Sequence, residues 1–340
     1  MRIKYFDGLK GFSAIIVMLT HFVLCFKMLS WLQEVPVVGL FFDGGMAVYI
    51  FVILSAFGMC CSFSKSDFSS TITKVALKRY FRLTMPLVLP TILAFMLLIL
   101  NLDYSMNLGE LEHNEWTKTL LPAEAHINQL TSGILVGVLK GSALINPLWM
   151  MKYIFLGSFI AMPCYYLIHN LKSERVKLLY ICCAGILAYS ISSYYTAIFV
   201  GVGLYVFKDR ILSYRQVFLC PILLLAIILL HVYNPATTKF IRAILLVLLV
   251  SSNTLAKQLL SSSLALRINK MSYQLYLVHA SVLASFCSWF CLNFLGEHYI
   301  CVYLVNVFLF FCITIVIASV FTRFDVKVSK SINIFFDKLL

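Results

Sequence analysis

The first apolar run of the chain reads Asp7-Gly-Leu-Lys10-Gly-Phe-Ser-Ala-Ile-Ile-Val-Met-Leu-Thr-His21-Phe-Val-Leu-Cys-Phe26. It has the length and composition of a membrane-spanning helix with a lysine at its polar edge and a histidine inside. His21 follows Lys10 by eleven positions, so on a helix its side chain returns to within about 20° of that of Lys10, about 16 Å further along. The sequence therefore predicts a charge at the membrane edge and a base deeper on the same face.

The composition is that of a membrane protein. Of the 340 residues, 61% are hydrophobic and 12% are charged, whereas soluble domains carry about 25% charged residues. Repeated apolar stretches predict an all-α, polytopic transmembrane bundle with one domain over residues 1–340, and with a first run that is retained as a span rather than cleaved as a signal peptide. We predict ten spans, near residues 9–30, 39–60, 84–102, 147–170, 177–191, 193–207, 214–232, 239–256, 272–294 and 299–321.

The net charge of +13 follows the connections between these spans. With a cytoplasmic N-terminus, 21 of the 27 Lys and Arg fall in inner segments and five in outer ones. This is the positive-inside pattern, so it predicts that both termini are cytoplasmic and argues against nucleic-acid binding. The remaining basic residue, Lys152, lies within a predicted span; it has no assigned role, and snorkelling of its ammonium to the outer interface is the simple alternative.

One long connection, residues 103–146, is predicted outside the membrane and is acidic. A connection of this length is usually functional or disordered. Its apolar part, 130–144, is compatible with a re-entrant segment or with a surface helix. The chain carries no sequence sign of an appended soluble domain.

Ionisable groups inside spans are the first candidates for function, because the bilayer penalises them. A neutral imidazole at His21 can take a proton from a hydroxyl and return it to a leaving group; the alternative is a histidine that only bonds two helices together. Lys10, Arg79 and Arg82 would form a basic mouth suited to a phosphate-bearing ligand, although positive-inside topology alone also explains basic residues there. No metal site is predicted, since the eleven cysteines form no paired CxxC framework.

Four segments together resemble the acyltransferase-3 family of integral membrane enzymes. Each segment alone is a weak signal, but all four occur in the family's order and cover most of the chain. They are Tyr5-Phe-Asp-Gly-Leu-Lys10-Gly-Phe followed by His21, Gly44-Gly-Met-Ala-Val-Tyr-Ile-Phe-Val-Ile-Leu-Ser55-Ala-Phe57, Arg79-Tyr-Phe-Arg82-Leu-Thr-Met-Pro86, and Ser272-Tyr-Gln-Leu-Tyr276-Leu-Val-His279.

The resemblance implies transfer of an acetyl group from cytoplasmic acetyl-CoA to a hydroxyl of a surface or lipid-linked carbohydrate, in the inner membrane of a bacterium. It implies that His21 is the catalytic base or acyl carrier, about 18 Å from the cytoplasmic edge. The residues expected to bind the acyl donor are Lys10, Ser55, Arg79, Arg82, Tyr276 and His279.

The last motif has a geometry of its own. Ser272, Tyr276 and His279 share one helical face through their i, i+4 and i+7 spacing. That face either lines or supports the donor cavity, or forms a seam of interhelical hydrogen bonds.

The chain also departs from the family pattern. Lys10 stands where the family has arginine, so a bidentate phosphate contact becomes a point-charge contact. Ala56 replaces the glycine that follows Ser55, and Ile154 occupies the place of a glutamate five residues after a tryptophan. No carboxylate role is therefore carried over to position 154.

Two other functions fit the spans and the buried histidine. One is a transporter or flippase, which predicts broken spans in matching halves of the chain. The other is an acyltransferase that acts on a lipid or a small molecule. The sequence leaves the acceptor, the acylated position, the existence of a covalent acyl-enzyme and the choice between monomer and homo-oligomer open.

Overall fold

The computed structural model describes residues 3–63, 78–211, 219–294 and 299–339, and every regular element in these ranges is helical. The helices are α1 (Lys4–Cys25), α2 (Gly44–Phe63), α3 (Lys78–Ile99), α4 (Ser105–Leu111), α5 (Glu115–Lys118), α6 (Ile127–Leu135), α7 (Gly137–Lys140), α8 (Met151–His169), α9 (Glu174–Tyr189), α10 (Ser193–Val206), α11 (Lys208–Ile211), α12 (Leu219–Tyr233), α13 (Lys239–Ser252), α14 (Thr254–Leu260), α15 (Ser263–Val282), α16 (Ser288–Phe294) and α17 (Tyr299–Leu339). Short 3-10 turns cover Lys27–Gln33, Val37–Phe42, Met85–Leu87 within α3, and Asn146–Met150, and a π turn at Leu283–Cys287 joins α15 to α16.

Helices occupy all ten positions at which spans are predicted, although residues 214–218 of the seventh span lie outside the described ranges. Six helical stretches are long and apolar enough to cross a membrane: α1, α2, α3, α8 with its preceding turn, α15 with α16, and α17. Among the others, α10 and α12 are apolar but shorter, while α13 and α14 meet at a bend of 95°. The all-helical architecture is confirmed for the described residues, with six candidate membrane spans, and the count of ten spans and the orientation of the termini stay predictions.

Polar side chains set several helix boundaries. Asp43 accepts a hydrogen bond from the backbone N–H of Met46 at 2.9 Å and so caps α2. At the 95° bend, Asn253 accepts from the backbone N–H of Ala256 at 2.9 Å. Such caps satisfy N–H groups that have no partner within their own helix, which explains why a new helix begins directly after each of them.

Contacts between residues divide the chain into two compact units. The first unit comprises the described parts of Met1–Val17, Gln33–Leu77 and Tyr153–Asn269. The second comprises the described parts of Met18–Leu32, Lys78–Lys152 and Lys270–Leu340.

In the first unit α10 packs closely on α2 and α9, and α13 packs on α2 and α12. The approach of α10 to α2 depends on Gly201, because a Cβ atom there would lie 2.2 Å from the carbonyl oxygen of Ile53. Small residues at such crossings let membrane helices pack backbone to backbone.

The second unit contains the segment 103–146, which folds as four short helices, α4 to α7. The apolar stretch 130–144 is divided between α6 and α7, and both are far shorter than a span. The backbone N–H of Tyr104 donates to the carbonyl of Ala284 at 2.9 Å and thereby fastens the start of this segment to the π turn after α15. The long connection is therefore an ordered part of its unit.

Candidate active site

Two histidines meet in the second unit. His21 lies on α1 and is half-buried, and His279 lies on α15 and is fully buried. The His21 Nδ1 atom is 2.6 Å from the His279 Nε2 atom. The rings are stacked, with centroids 4.9 Å apart and planes inclined by 21°. The structure thus brings together the two span histidines that the sequence analysis singled out.

The hydrogen-bond network assigns the protons of this pair. His279 Nδ1 lies 3.2 Å from the backbone carbonyl of Leu275, and because a carbonyl only accepts, Nδ1 carries the hydrogen. In a neutral His279 the Nε2 atom then holds a lone pair and accepts from His21 Nδ1. His21 Nε2 is consequently the nitrogen left with a lone pair, which is the arrangement a general base needs.

Tyr276 lies on the same buried stripe of α15 as His279. Its hydroxyl donates a hydrogen bond to the carbonyl of Pro147, in the turn before α8. Its ring centroid is 5.8 Å from that of His279. Ser272, one turn earlier, is also buried. The stripe forms an interhelical seam that fixes His279 in place, while a part for Tyr276 in donor binding stays a prediction.

A tryptophan that sequence reasoning missed completes the surroundings of His21. The ring centroid of Trp116, on α5, is 5.2 Å from that of His21. The helix α5 is tied to the end of α1 by Asn114 Nδ2, which donates to the carbonyl of Leu24 at 2.5 Å, and by Thr117 Oγ1, which donates to the carbonyl of Cys25 at 3.1 Å. The available signal was a tryptophan two residues after a capping asparagine in the acidic part of the long connection.

The basic motif on α3 lies in the same unit. Arg79 is half-buried, Arg82 is exposed, and the two charges are close enough to repel each other. The Tyr273 hydroxyl donates to the carbonyl of Leu83 at 2.7 Å. Tyr273 also interacts electrostatically with Arg79 and with Asp325 of α17.

Gln274, the next residue of α15, donates through Nε2 to the carbonyl of Pro86 at 2.9 Å and to Asp325 Oδ2 at 2.5 Å. With the bond from Tyr273, this attaches the motif of α3 to the helix that carries His279. The exposed guanidinium of Arg82 is suited to phosphate oxygens.

Two further predicted residues, Lys10 and Ser55, belong to the first unit, and both are half-buried. The Lys10 Nζ atom is 3.8 Å from the position that a Cβ would take at Gly58. Ser55 and Gly58 are three residues apart on α2 and therefore share a face. Lys152 is half-buried at the start of α8, and its role stays unassigned.

The first unit also buries a charged cluster that the sequence analysis did not identify. Arg242 is completely buried and pairs with Asp43, its Nη1 atom 2.8 Å from Asp43 Oδ2. The same guanidinium contacts His231 Nδ1 and donates through Nε to Thr238 Oγ1 at 3.0 Å. All of these contacts join protein groups to one another, so we interpret the cluster as one that stabilises the first unit. Within the described ranges, no group of three or more metal-binding side chains is assembled.

Comparison with known proteins bears on the chemistry. The family model of the acyltransferase-3 family, described as an acyltransferase domain, matches residues 3–323. No curated protein and no solved structure matches the chain. The match covers all four segments that carry the sequence resemblance. It indicates an enzyme that transfers acyl groups, and so decides against the transporter or flippase.

Proposed function

The chain belongs to the acyltransferase-3 family of membrane acyltransferases, and from this premise we propose that it moves an acetyl group from cytoplasmic acetyl-CoA to a hydroxyl of a surface or lipid-linked carbohydrate. The expected location is the bacterial inner membrane. The observation that carries the proposal is the pair of His21 and His279, whose hydrogen bonds leave the His21 Nε2 lone pair available.

In the proposed reaction His21 Nε2 takes the proton of the acceptor hydroxyl as its oxygen attacks the thioester carbonyl. The C–S bond then breaks, and the CoA sulfur leaves with the proton from Nε2, so that His21 returns to its neutral form. While His21 is protonated, its Nδ1–H donates to His279 Nε2, and a charge-assisted hydrogen bond of this kind stabilises the imidazolium. His279 is thus a positioning residue for His21.

The same lone pair allows a second form of the reaction, in which His21 carries the acetyl group between donor and acceptor. In that form Nε2 attacks the thioester carbonyl, the C–S bond breaks and CoA leaves as a thiolate. The acceptor oxygen then takes the acetyl group from the acetyl-imidazolium, the hydroxyl proton goes to the thiolate, and His21 regains its lone pair. Brief mixing with labelled acetyl-CoA, without acceptor, separates the two forms, because only the second leaves label on the protein.

We assign donor binding to the basic and polar residues predicted from the sequence. Lys10, Arg79 and Arg82 would contact the CoA phosphates, while Ser55 and Tyr276 would line the path of the acyl arm. The support for Arg79 and Arg82 is the attachment of their segment to α15 through Tyr273 and Gln274, which ties donor binding to the helix that carries His279.

The decisive experiment supplies labelled acetyl-CoA to membranes that contain the wild type, His21→Ala or His169→Ala. His169 is exposed on α8 and serves as the matched control. We expect label in glycan for the wild type and the control and none for His21→Ala, with equal amounts of inserted protein. Label in lipid rather than glycan would show that the acceptor is a lipid. Full activity of His21→Ala would overturn the mechanism.

A further inference from the structure

A cavity of about 580 Å³, largely open at the surface, lies among the short helices of the second unit. Its volume falls within the range of small-molecule sites, about 300–1,000 Å³. The lining mixes polar and apolar side chains: Glu115, Lys118, Thr119, Ser142 and Asn146 are polar, whereas Leu121 and Pro122 are among the apolar ones. Neither the sequence motifs nor the histidine pair accounts for this cavity.

The helix α5 connects the cavity to His21. Glu115 and Lys118 are three residues apart and share one face of α5, which contributes to the cavity wall. Trp116, between them in sequence, contacts the His21 ring. Consecutive residues of a helix lie about 100° apart, so Glu115 and Trp116 face different sides of α5, and a molecule bound at Glu115 is held within about one helix diameter, 10–12 Å, of the His21 environment. Thr117 and Asn114 fasten this helix to α1, so the spacing is fixed.

The polar groups of the cavity are already oriented. Lys118 Nζ lies 2.9 Å from Glu115 Oε1, and the Glu115 side chain is 85% exposed, so its carboxylate is accessible to a ligand. Asn146 Nδ2 donates to the Thr119 carbonyl at 2.9 Å, which holds the Asn146 amide in place. A carboxylate, an ammonium, an amide and the Ser142 hydroxyl provide both donors and acceptors, whereas the Thr119 hydroxyl donates to the carbonyl of Trp116 at 2.7 Å.

We propose that this cavity binds the carbohydrate acceptor of the acetyl group, through a sugar next to the one whose hydroxyl reacts at His21. A sugar presents several neighbouring hydroxyls, each both donor and acceptor, between patches of C–H, and the mixed wall matches this pattern. The weak net charge of the wall, with one carboxylate paired to one ammonium, fits a neutral glycan better than a phosphate-rich donor. The inference rests on the proposed function, which it deepens by naming the place of the acceptor.

The test uses full-length protein in lipid nanodiscs, with release of CoA from acetyl-CoA followed by chromatography. The acceptor probes are methyl glycosides of hexose and hexosamine trisaccharides, which are long enough to reach from the cavity to His21, and an aliphatic alcohol represents a lipid hydroxyl. The variants are Glu115→Gln and Lys118→Gln. Their matched controls, Glu110→Gln and Lys140→Gln, change exposed residues of the same segment that lie outside the cavity lining.

We expect the glycoside concentration at half-maximal rate to rise about tenfold in each cavity variant, the effect of losing one hydrogen bond to a charged group. The controls should keep the wild-type glycoside dependence, and the acetyl-CoA concentration at half-maximal rate should not move in any variant. Cavity variants with the wild-type glycoside dependence would overturn the proposal. So would a wild type that consumes acetyl-CoA but responds only to the aliphatic alcohol, or to no acceptor probe.

Failure of the proposed function has a different signature. In that case the wild type would release no more CoA than His21→Ala under any condition, which would remove the premise itself. The acceptor assignment can therefore fail while donor chemistry remains, and the two results cannot be confused.

Discussion

His21 Nδ1 and His279 Nε2 lie 2.6 Å apart although 258 residues separate them in the chain. The first transmembrane helix and a late one thus share a single hydrogen-bonded unit, anchored at the Leu275 carbonyl. Loss of His279 should therefore lower the rate of the reaction through its effect on His21. The size of that loss measures how far the base depends on being oriented.

His279→Ala should lower the rate at saturating acetyl-CoA and acceptor by up to about 10²–10⁴-fold, because without its partner the base at His21 can lose at most its own contribution, which is of that size. His279→Gln should restore part of the rate, because its side-chain oxygen can accept from His21 Nδ1. The measurement is a full rate analysis, with thermal unfolding of both variants to confirm folding. An unchanged rate in a folded His279→Ala protein would contradict the role.

Arg82→Ala should weaken donor binding. Loss of a charge-assisted contact to phosphate should raise the acetyl-CoA concentration at half-maximal rate by about tenfold. The salt sensitivity of that concentration should fall too, since screening acts on charge pairs at exposed positions. Arg175→Ala, at an exposed position at the start of α9, is the matched control. Equal donor dependence in the two variants would exclude Arg82 from the donor site.

Lys10→Arg restores the side chain of the family pattern. A planar guanidinium can hold a phosphate through two parallel hydrogen bonds, so we expect a several-fold lower acetyl-CoA concentration at half-maximal rate. Lys4→Arg, at an exposed position at the start of α1, controls for any general effect of replacing a lysine by an arginine. A higher requirement for acetyl-CoA in Lys10→Arg would show that the site is shaped for the compact ammonium.

Asp43→Asn should destabilise the first unit by about 3–5 kcal/mol, because it leaves the buried Arg242 charge without its partner. Asparagine still caps a helix well, so the loss reports the ion pair rather than the end of α2. Glu174→Gln breaks the exposed pair with Arg210 and should cost less than about 1 kcal/mol. Thermal unfolding in detergent compares the two variants. Equal shifts in melting temperature would show that the buried Asp43–Arg242 pair stabilises the protein no more than the exposed pair does.

Gly201→Ala should destabilise the packing of α10 on α2 by about 1–3 kcal/mol, because the added methyl meets the Ile53 carbonyl. Gly185→Ala is the control, since its added Cβ would lie 3.7 Å from Phe199 Cβ, an ordinary contact. The melting temperature should fall only for the first variant. A Gly201→Ala protein as stable as the wild type would mean that the two helices can separate at little cost.

The sequence alone predicts the helices and the one-face stripe of Ser272, Tyr276 and His279, since both follow from local hydrophobic periodicity. It does not predict partners. Nothing near His21 in the chain indicates Trp116, and nothing near Arg242 indicates Asp43, because such contacts arise only when distant helices pack. The segment 103–146 was hardest for the same reason: its short helices are stabilised by bonds to other helices, such as that from Asn114 to Leu24, rather than by their own periodicity.

The length of α17 allows depths in the membrane to be estimated. Its 41 residues extend about 60 Å, twice the roughly 30 Å of a hydrocarbon layer. Charged residues first appear at Arg323, so we expect the layer to end there, close to Asp325 and the Gln274 that it holds. His279 follows Gln274 by five residues, about 8 Å along α15. This depth below the cytoplasmic edge is less than the roughly 18 Å expected for His21 from its position on α1. The acetyl group would then cross a short distance from the cytoplasmic face to the histidine pair, and the acceptor hydroxyl would cross a longer distance from the opposite face.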